Sequence, residues 1–297
     1  MTGLISYELV PFGWPVIIYF TLAGVACGTC LAGCLILWSN DALYHQLGKR
    51  ALWVATLAIA AGAMALVSDL EAPQRFWLIL TQLNGHSVIA WGARLITVFG
   101  CLCGYVAVTT QVPSEISPVP RRLLALLVLL ALGVGMYPAY VLGQATARPL
   151  WGAPVLAPLW LVSGMHLGLG ALLLLSVLAP PQASAGCNGL ASAHLRIFNR
   201  LDVWLILLEA ALLAAYLSLL TGASQRAVAR LVTGGMSAWL WIGVILVGWG
   251  VPLLEIARGD GGRRGLAVRS TCLLLGGLSI RTLIVLGGQG AGAFLGA

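Results

Sequence analysis

With 297 residues, 60% of them apolar and only 8% charged, where an ordinary soluble domain has roughly 25% charged residues, the chain has no soluble reading. Its formal charge of +7 would suit nucleic acid, but the 16 Lys and Arg are scattered over short connections between apolar runs, as topology signals are. A hydrocarbon core roughly 30 Å thick takes about 20 apolar residues per helix, so spans of that length use up the sequence and leave no room for a sizeable soluble domain.

The first predicted span covers 14 to 38. Nothing positively charged precedes Lys49 and the apolar run is long, so it reads as a retained helix rather than a signal peptide. Gly24 and Gly28 share a face with Cys27, Cys30 and Cys34; that face reads as close helix packing rather than a metal site. The second span, 50 to 70, closes on Asp69, and the short connection after it holds Arg75, Trp77 and His86. The third, 88 to 110, carries Trp91, Arg94, Cys101 and Cys103, and the fourth, 122 to 143, carries Tyr137 late in its course.

The fifth span, 154 to 178, holds His166, which reads as a helix-packing histidine. The longest polar connection, 179 to 200, contains Cys187, the one loop cysteine among seven, so there is no disulfide framework. The sixth span, 202 to 221, carries Asp202 and Glu209; the seventh, 237 to 256, ends near Glu255; the eighth, 266 to 290, carries Cys272, Arg281 and Gln289. In hydrocarbon the backbone must satisfy its own hydrogen bonds, so these segments are helices and the fold is all-α: one integral membrane domain over 1–297 with eight transmembrane helices.

An even number of spans puts both termini on one side. Connections after spans 1, 3, 5 and 7 carry ten basic residues and the opposite connections four (Arg75, Arg148, Arg226, Arg230), so the positive-inside rule predicts termini outside. Tyr19, Asp69, Arg94, Tyr137, Arg281 and Gln289 then all fall toward the outer face. An ionised group at the membrane centre costs roughly 2.5–3.5 kcal/mol even on the lenient insertion scale, which marks such residues as paired or functional. Arg94 and Arg281 either snorkel, pair with Asp69, or serve a site. Tyr19, like Trp14, Trp77, Trp91 and Trp151, fits an interfacial aromatic belt as well as a site. Glu209, with Asp202 and Glu255, reads as a proton path or as an internal ion-pair partner. Only His166 lies deep in a span, so the sequence offers no pair of axial histidines for a haem, and no metal site is expected.

Six segments in order resemble one family. Gly13-Trp14-Pro15-x-x-x-Tyr19 with Ala23-Gly24-x-x-Cys27-Gly28 is similar to the first helix of the polysulfide reductase (NrfD/PsrC-like) membrane subunits. So are Asp69-Leu70-x-x-Pro73-x-x-Phe76-Trp77, Ser87-x-x-x-Trp91-Gly92-Ala93 and the stretch from Tyr137 to Trp151. Pro154, Pro158, Ser163 and Gly164 continue the match, and Gly276-Gly277-x-x-x-Arg281 with Gly288-Gln289 completes it. Where relatives carry Thr-Gly after the tyrosine, this chain has Pro138-Ala139.

The resemblance implies a multi-pass subunit of the bacterial cytoplasmic membrane, with periplasmic termini. It implies electron exchange between the quinone pool, menaquinone or ubiquinone, and a four-cluster ferredoxin-like iron–sulfur subunit, itself joined to a molybdopterin catalytic subunit. The reductase would be of the polysulfide, thiosulfate or nitrite type, and the terminal substrate would react in the partner. On this resemblance for Tyr137, and on position toward the outer face for the others, Tyr137 and Asp69 are the catalytic candidates, and Tyr19, His86, Arg94, Tyr137 and Arg281 are the quinone-binding ones. Tyr137 would donate to a quinone oxygen and Asp69 would accept or relay protons. Apart from the bilayer and these subunits, no nucleic-acid partner is expected. A secondary transporter or ion-translocating protein is the competing class, because broken helices and midplane charges also mark solute paths.

Overall fold

A computed structural model describes residues 12–39, 45–70, 72–81, 87–110, 119–145, 148, 150–178, 195–223, 225–259 and 262–289. Eight helices are long and apolar enough to cross a membrane. They are α1 (Trp14–Trp38), α2 (His45–Ser68), α4 (Val88–Thr109), α5 (Arg121–Gly143), α6 (Leu156–Leu178), α7 (Leu195–Ala223), α9 (Trp239–Arg258) and α10 (Arg263–Gln289). Among the described residues, two short α-helices lie between them, α3 (Trp77–Thr81) and α8 (Gln225–Val232), with one turn of 3-10 helix at Pro73–Arg75, and no strand occurs.

The first span coincides with its expected range. Others run several residues past the apolar run: α2 begins at His45 rather than 50, and α7 at Leu195 rather than 202. Helical hydrogen bonding does not stop where hydrocarbon does, so polar turns such as Gln46–Lys49 and Asn199–Arg200 continue the helix into the interface. The ends are set by ordinary local chemistry. Pro15 occupies the first turn of α1, where its missing N–H is no loss. Ser87 caps α4 by accepting from the Ala90 N–H at 3.3 Å. Gly259 ends α9 in the left-handed region (φ 68°), a conformation that costs a residue with a Cβ.

The bundle has a centre made of three helices. In α10, 67% of the apolar stretch is buried, and in α1 and α6 61%, against 22% for α9. Between helices in lipid, association depends on close packing rather than on the hydrophobic effect. The sequence supplies that closeness as glycine: a Cβ at Gly28 would collide with the Gly164 carbonyl and the Gly168 backbone, and one at Gly276 with the Gly248 backbone. The packing reading of the Gly24/Gly28 face thus holds at the α1–α6 contact, while Cys30 and Cys34 lie with Sγ atoms 3.9 Å apart in the same core. The outward faces expose large apolar side chains such as Leu35, Met64, Leu129, Trp204 and Ile242, the surface a bilayer covers.

Two departures from ideal α-helix bear on function. Pro138, inside α5, has no N–H to donate to the carbonyl one turn earlier, directly beside Tyr137. The first part of α9, Trp239–Gly250, is a π-helix, packed through Gly243 against Ser279 and through Gly248 against Gly276.

Candidate functional site

At the end of the bundle where α1 begins and α2 ends, α5 presents Tyr137. Its ring lies over Gly92 of α4, so closely that any Cβ there would occupy the ring's place. Tyr137 also lines a pocket of about 540 Å³ formed by α4, α5, α6 and the connection before α6. Leu95, Met136, Tyr140, Trp151 and Ala157 give the pocket apolar walls. Trp151 is fixed as a wall because its Nε1 donates to the Ile284 carbonyl (3.0 Å) while the Arg148 guanidinium lies 4.9 Å over its ring. Arg148 in turn donates to the Gly288 carbonyl (2.8 Å), and Gln289 Nε2 to that of Phe12 (3.0 Å), which ties α10 and the start of α1 together at this end.

The sequence-derived candidates divide. Tyr19 is buried on α1, and its hydroxyl has no hydrogen-bond partner among the described residues. An unsatisfied buried hydroxyl costs roughly 1–3 kcal/mol, which a ligand oxygen at this place would relieve. Asp69 is exposed at the end of α2, beside Gly13. It pairs with neither Arg94 nor Arg281, contrary to the ion-pair alternative raised from the sequence. Arg94 is half-buried at the bundle edge, 5.4 Å over Trp91, with Nε donating to the Leu80 carbonyl (3.4 Å). His86 lies outside the described residues.

Arg281 does not snorkel, and it pairs with no acid among the described residues. It is fully buried on α10, and its fork donates to the Phe20 carbonyl (3.0 Å), to Ser163 Oγ (2.9 Å) and to its own helix at the Gly277 carbonyl (3.0 Å). Its Nη2 has no partner, and the cation lies 5.5 Å from the Trp160 ring. Gly24 makes the room, since a Cβ there would meet the guanidinium. The pocket's lining contains Tyr137 but not Tyr19, Asp69, Arg94 or Arg281.

Toward the opposite, basic end lies a second polar assembly, only part of which the sequence disclosed. His166, expected to serve packing alone, stands between two acids of α7, with Nδ1 2.9 Å from Glu209 Oε2 and Nε2 2.9 Å from Asp202 Oδ1. Arg269 of α10 holds the other Asp202 oxygen at 2.7 Å and donates to Asn199 Oδ1. Trp249, in the π-helical part of α9, donates to Glu209 Oε2 (2.8 Å). Glu255, grouped with these acids in the sequence, instead pairs with Arg258 at 2.9 Å one turn away on its own helix. The signal for His166 was present, a lone imidazole deep in a span with two acids seven residues apart on the next, but spacing alone does not say which helix faces meet.

These features define a class: a multi-pass helical membrane protein with an apolar, tyrosine-bearing pocket at one end and a buried ionic assembly toward the other. The chain belongs to the family described as Polysulphide reductase, NrfD, whose profile matches residues 4–291. It is 28% identical to the C chain of polysulfide reductase from Wolinella succinogenes, over 96% of each protein. It is 26% identical to Protein NrfD of Escherichia coli, over 97% of this chain and 98% of that one. A shorter stretch, 33% of this chain, is 26% identical to the C subunit of selenate reductase from Mesobacillus selenatarsenatis, covering 23% of that protein.

Proposed function

We propose that this chain is the quinone-reacting membrane subunit of a respiratory oxidoreductase, passing electrons between the quinone pool and an iron–sulfur partner that serves a molybdopterin reductase. The observation that carries the reading is the apolar pocket with Tyr137 in its wall. A volume of about 540 Å³ falls within the roughly 300–1,000 Å³ of small-molecule sites, and its apolar lining suits a ring with an isoprenoid tail. Two of the relatives are named as one component of a reductase, which supports a subunit whose terminal chemistry lies in a partner.

When bound, a quinone supplies two-electron, two-proton redox chemistry. Tyr137 would donate a hydrogen bond to a ring oxygen, Gly92 leaves the space that holds Tyr137 in place, and Trp151 closes the wall. Asp69, exposed at the same end, exchanges protons with the aqueous face. By the positive-inside rule this end is periplasmic, in the bacterial inner membrane, and so are both termini. Buried charges near the bundle centre also suit a secondary transporter, but a transporter has no need of a redox partner, whereas a quinone-linked subunit copurifies with one.

A photoreactive quinone tests the site directly on the purified complex. Labelled peptides are expected around Met136–Tyr140 and Trp151–Ala157; labelling confined to other helices refutes it.

A further inference from the structure

We infer that His166, Asp202 and Glu209 form a proton relay that holds one exchangeable proton inside the bundle and carries it between the basic end and the bundle centre. The relay lies on the far side of the bundle from the Tyr137 pocket and stands whether or not a quinone binds there.

The argument starts from a count of hydrogens. Both ring nitrogens of His166 lie 2.9 Å from a carboxylate oxygen. Each contact requires one hydrogen. A neutral imidazole carries one, and ionised carboxylates carry none. The arrangement therefore contains one proton more than neutral histidine with two carboxylates, either as imidazolium or as a protonated acid.

The surroundings decide where that proton can go. Both Asp202 oxygens are in use: Oδ2 is held by Arg269 and Oδ1 faces His166. Asp202 with Arg269 is thus a fixed ion pair. Glu209 is different. Its Oε2 takes both His166 and the Trp249 N–H, while the buried Oε1 makes no hydrogen bond among the described residues. At rest the extra proton sits on Glu209 as a neutral acid, and His166 is neutral with its Nε2–H on Asp202. When Glu209 gives that proton up toward the bundle centre, reorientation of the ring points its N–H at Glu209 and its bare nitrogen at the Asp202 side; one proton taken up there from the basic end makes the imidazolium, and transfer of the other to Glu209 restores the acid.

Direction follows from position along the helices. Asp202 and Glu209 are seven residues apart on α7, roughly 11 Å of helix rise, with Asp202 nearer the basic end. Half-buried Asn199, which accepts from Arg269, marks the entry one turn further out. At the other end Ser163, one turn from His166 on α6, stands beside the Glu209 carboxylate and accepts from Arg281. Arg281 holds Ser163 through Nη1, while its buried Nη2, on the Gly24 side, has no partner among the described residues. Ser163, at the bundle centre, is where a proton leaving Glu209 would be received.

The test uses the intact complex. Infrared spectra in H₂O and D₂O at neutral pH are expected to show a carboxylic-acid C=O band that shifts on exchange. That band should vanish in Glu209→Gln, which keeps the side chain's shape and an oxygen for Trp249. A hydrophobic carbodiimide is expected to modify Glu209 and not Asp202. In vesicles, proton uptake at the basic face per electron transferred is expected to fall at least severalfold in Glu209→Gln and in His166→Leu, with dye-linked reductase activity retained. Absence of an exchangeable acid band in the unmodified protein overturns the relay. So does an unchanged proton-to-electron ratio in Glu209→Gln. Loss of quinol turnover with the band and the carbodiimide reaction intact would count against the quinone reading and leave the relay standing.

Discussion

Replacing Tyr137 by Phe removes one hydroxyl and leaves the ring on Gly92 and the pocket wall in place. The hydroxyl makes no hydrogen bond to another described residue, so its loss leaves no protein group unsatisfied and the fold is expected to keep its stability. A ligand hydrogen bond has a net worth of about 0.5–1.5 kcal/mol, which at roughly 1.4 kcal/mol per tenfold predicts a two- to tenfold drop in quinol-linked kcat/KM. The drop will be larger if the hydroxyl also positions a proton transfer. The assay is quinol-dependent turnover beside turnover with an artificial dye that feeds the partner directly. Tyr216→Phe is the control: its hydroxyl is buried and donates to the Leu150 carbonyl at 2.7 Å, so its removal costs about 1 kcal/mol of stability without a specific quinol defect. Gly92→Ala tests the same hydroxyl by displacing it, because the new methyl falls where the Tyr137 ring lies. If both Tyr137→Phe and Gly92→Ala leave quinol turnover at the unmodified level while dye activity is normal, the site is elsewhere.

Gly28→Ala places a methyl against the backbone of α6, which has no rotamer with which to yield, so a loss of at least about 1–3 kcal/mol is expected in thermal unfolding in detergent. Gly235→Ala, with nothing within 4 Å of the added carbon, should be silent in the same measurement. A reporter fused after Ala297 should be active only on the outer side; activity confined to the cytoplasm would reverse the assigned topology. Crosslinks from the connections around Arg75 and Arg148–Trp151 should reach the iron–sulfur subunit, and crosslinks found only from the basic end would move the docking surface there.

The spans were legible because a membrane helix announces itself by composition: about twenty apolar residues in a row admit few other folds. Depth in the sequence made it legible that Tyr19, Asp69 and Tyr137 lie toward one end of the bundle. What depth cannot give is azimuth. Asp69 and Arg94 share a level without meeting, and Arg281, for which the interface, an acid partner and a site role were all open, is held by two backbone carbonyls and a serine hydroxyl. The His166 assembly joins residues 36, 43 and 67 positions apart through helix neighbours that only the assembled bundle specifies. Glu255 shows the same limit from the other side, since it shares the basic half of the bundle with Asp202 and yet turns to Arg258 on its own helix.

The three-helix centre has a consequence for biogenesis. Its most enclosed member, α10, is also the last of the eight spans to leave the ribosome. Until it arrives, α1 and α6 already stand in the bilayer with the Phe20 carbonyl and Ser163 waiting for a guanidinium, and Asp202 is committed to the membrane without Arg269. Among these eight spans, the arginine-bearing helix is therefore the last to insert, between partners made long before it. A chain cut short before Arg263 would expose an acid and a glycine-lined groove to lipid, the kind of half-made bundle that membrane quality control removes.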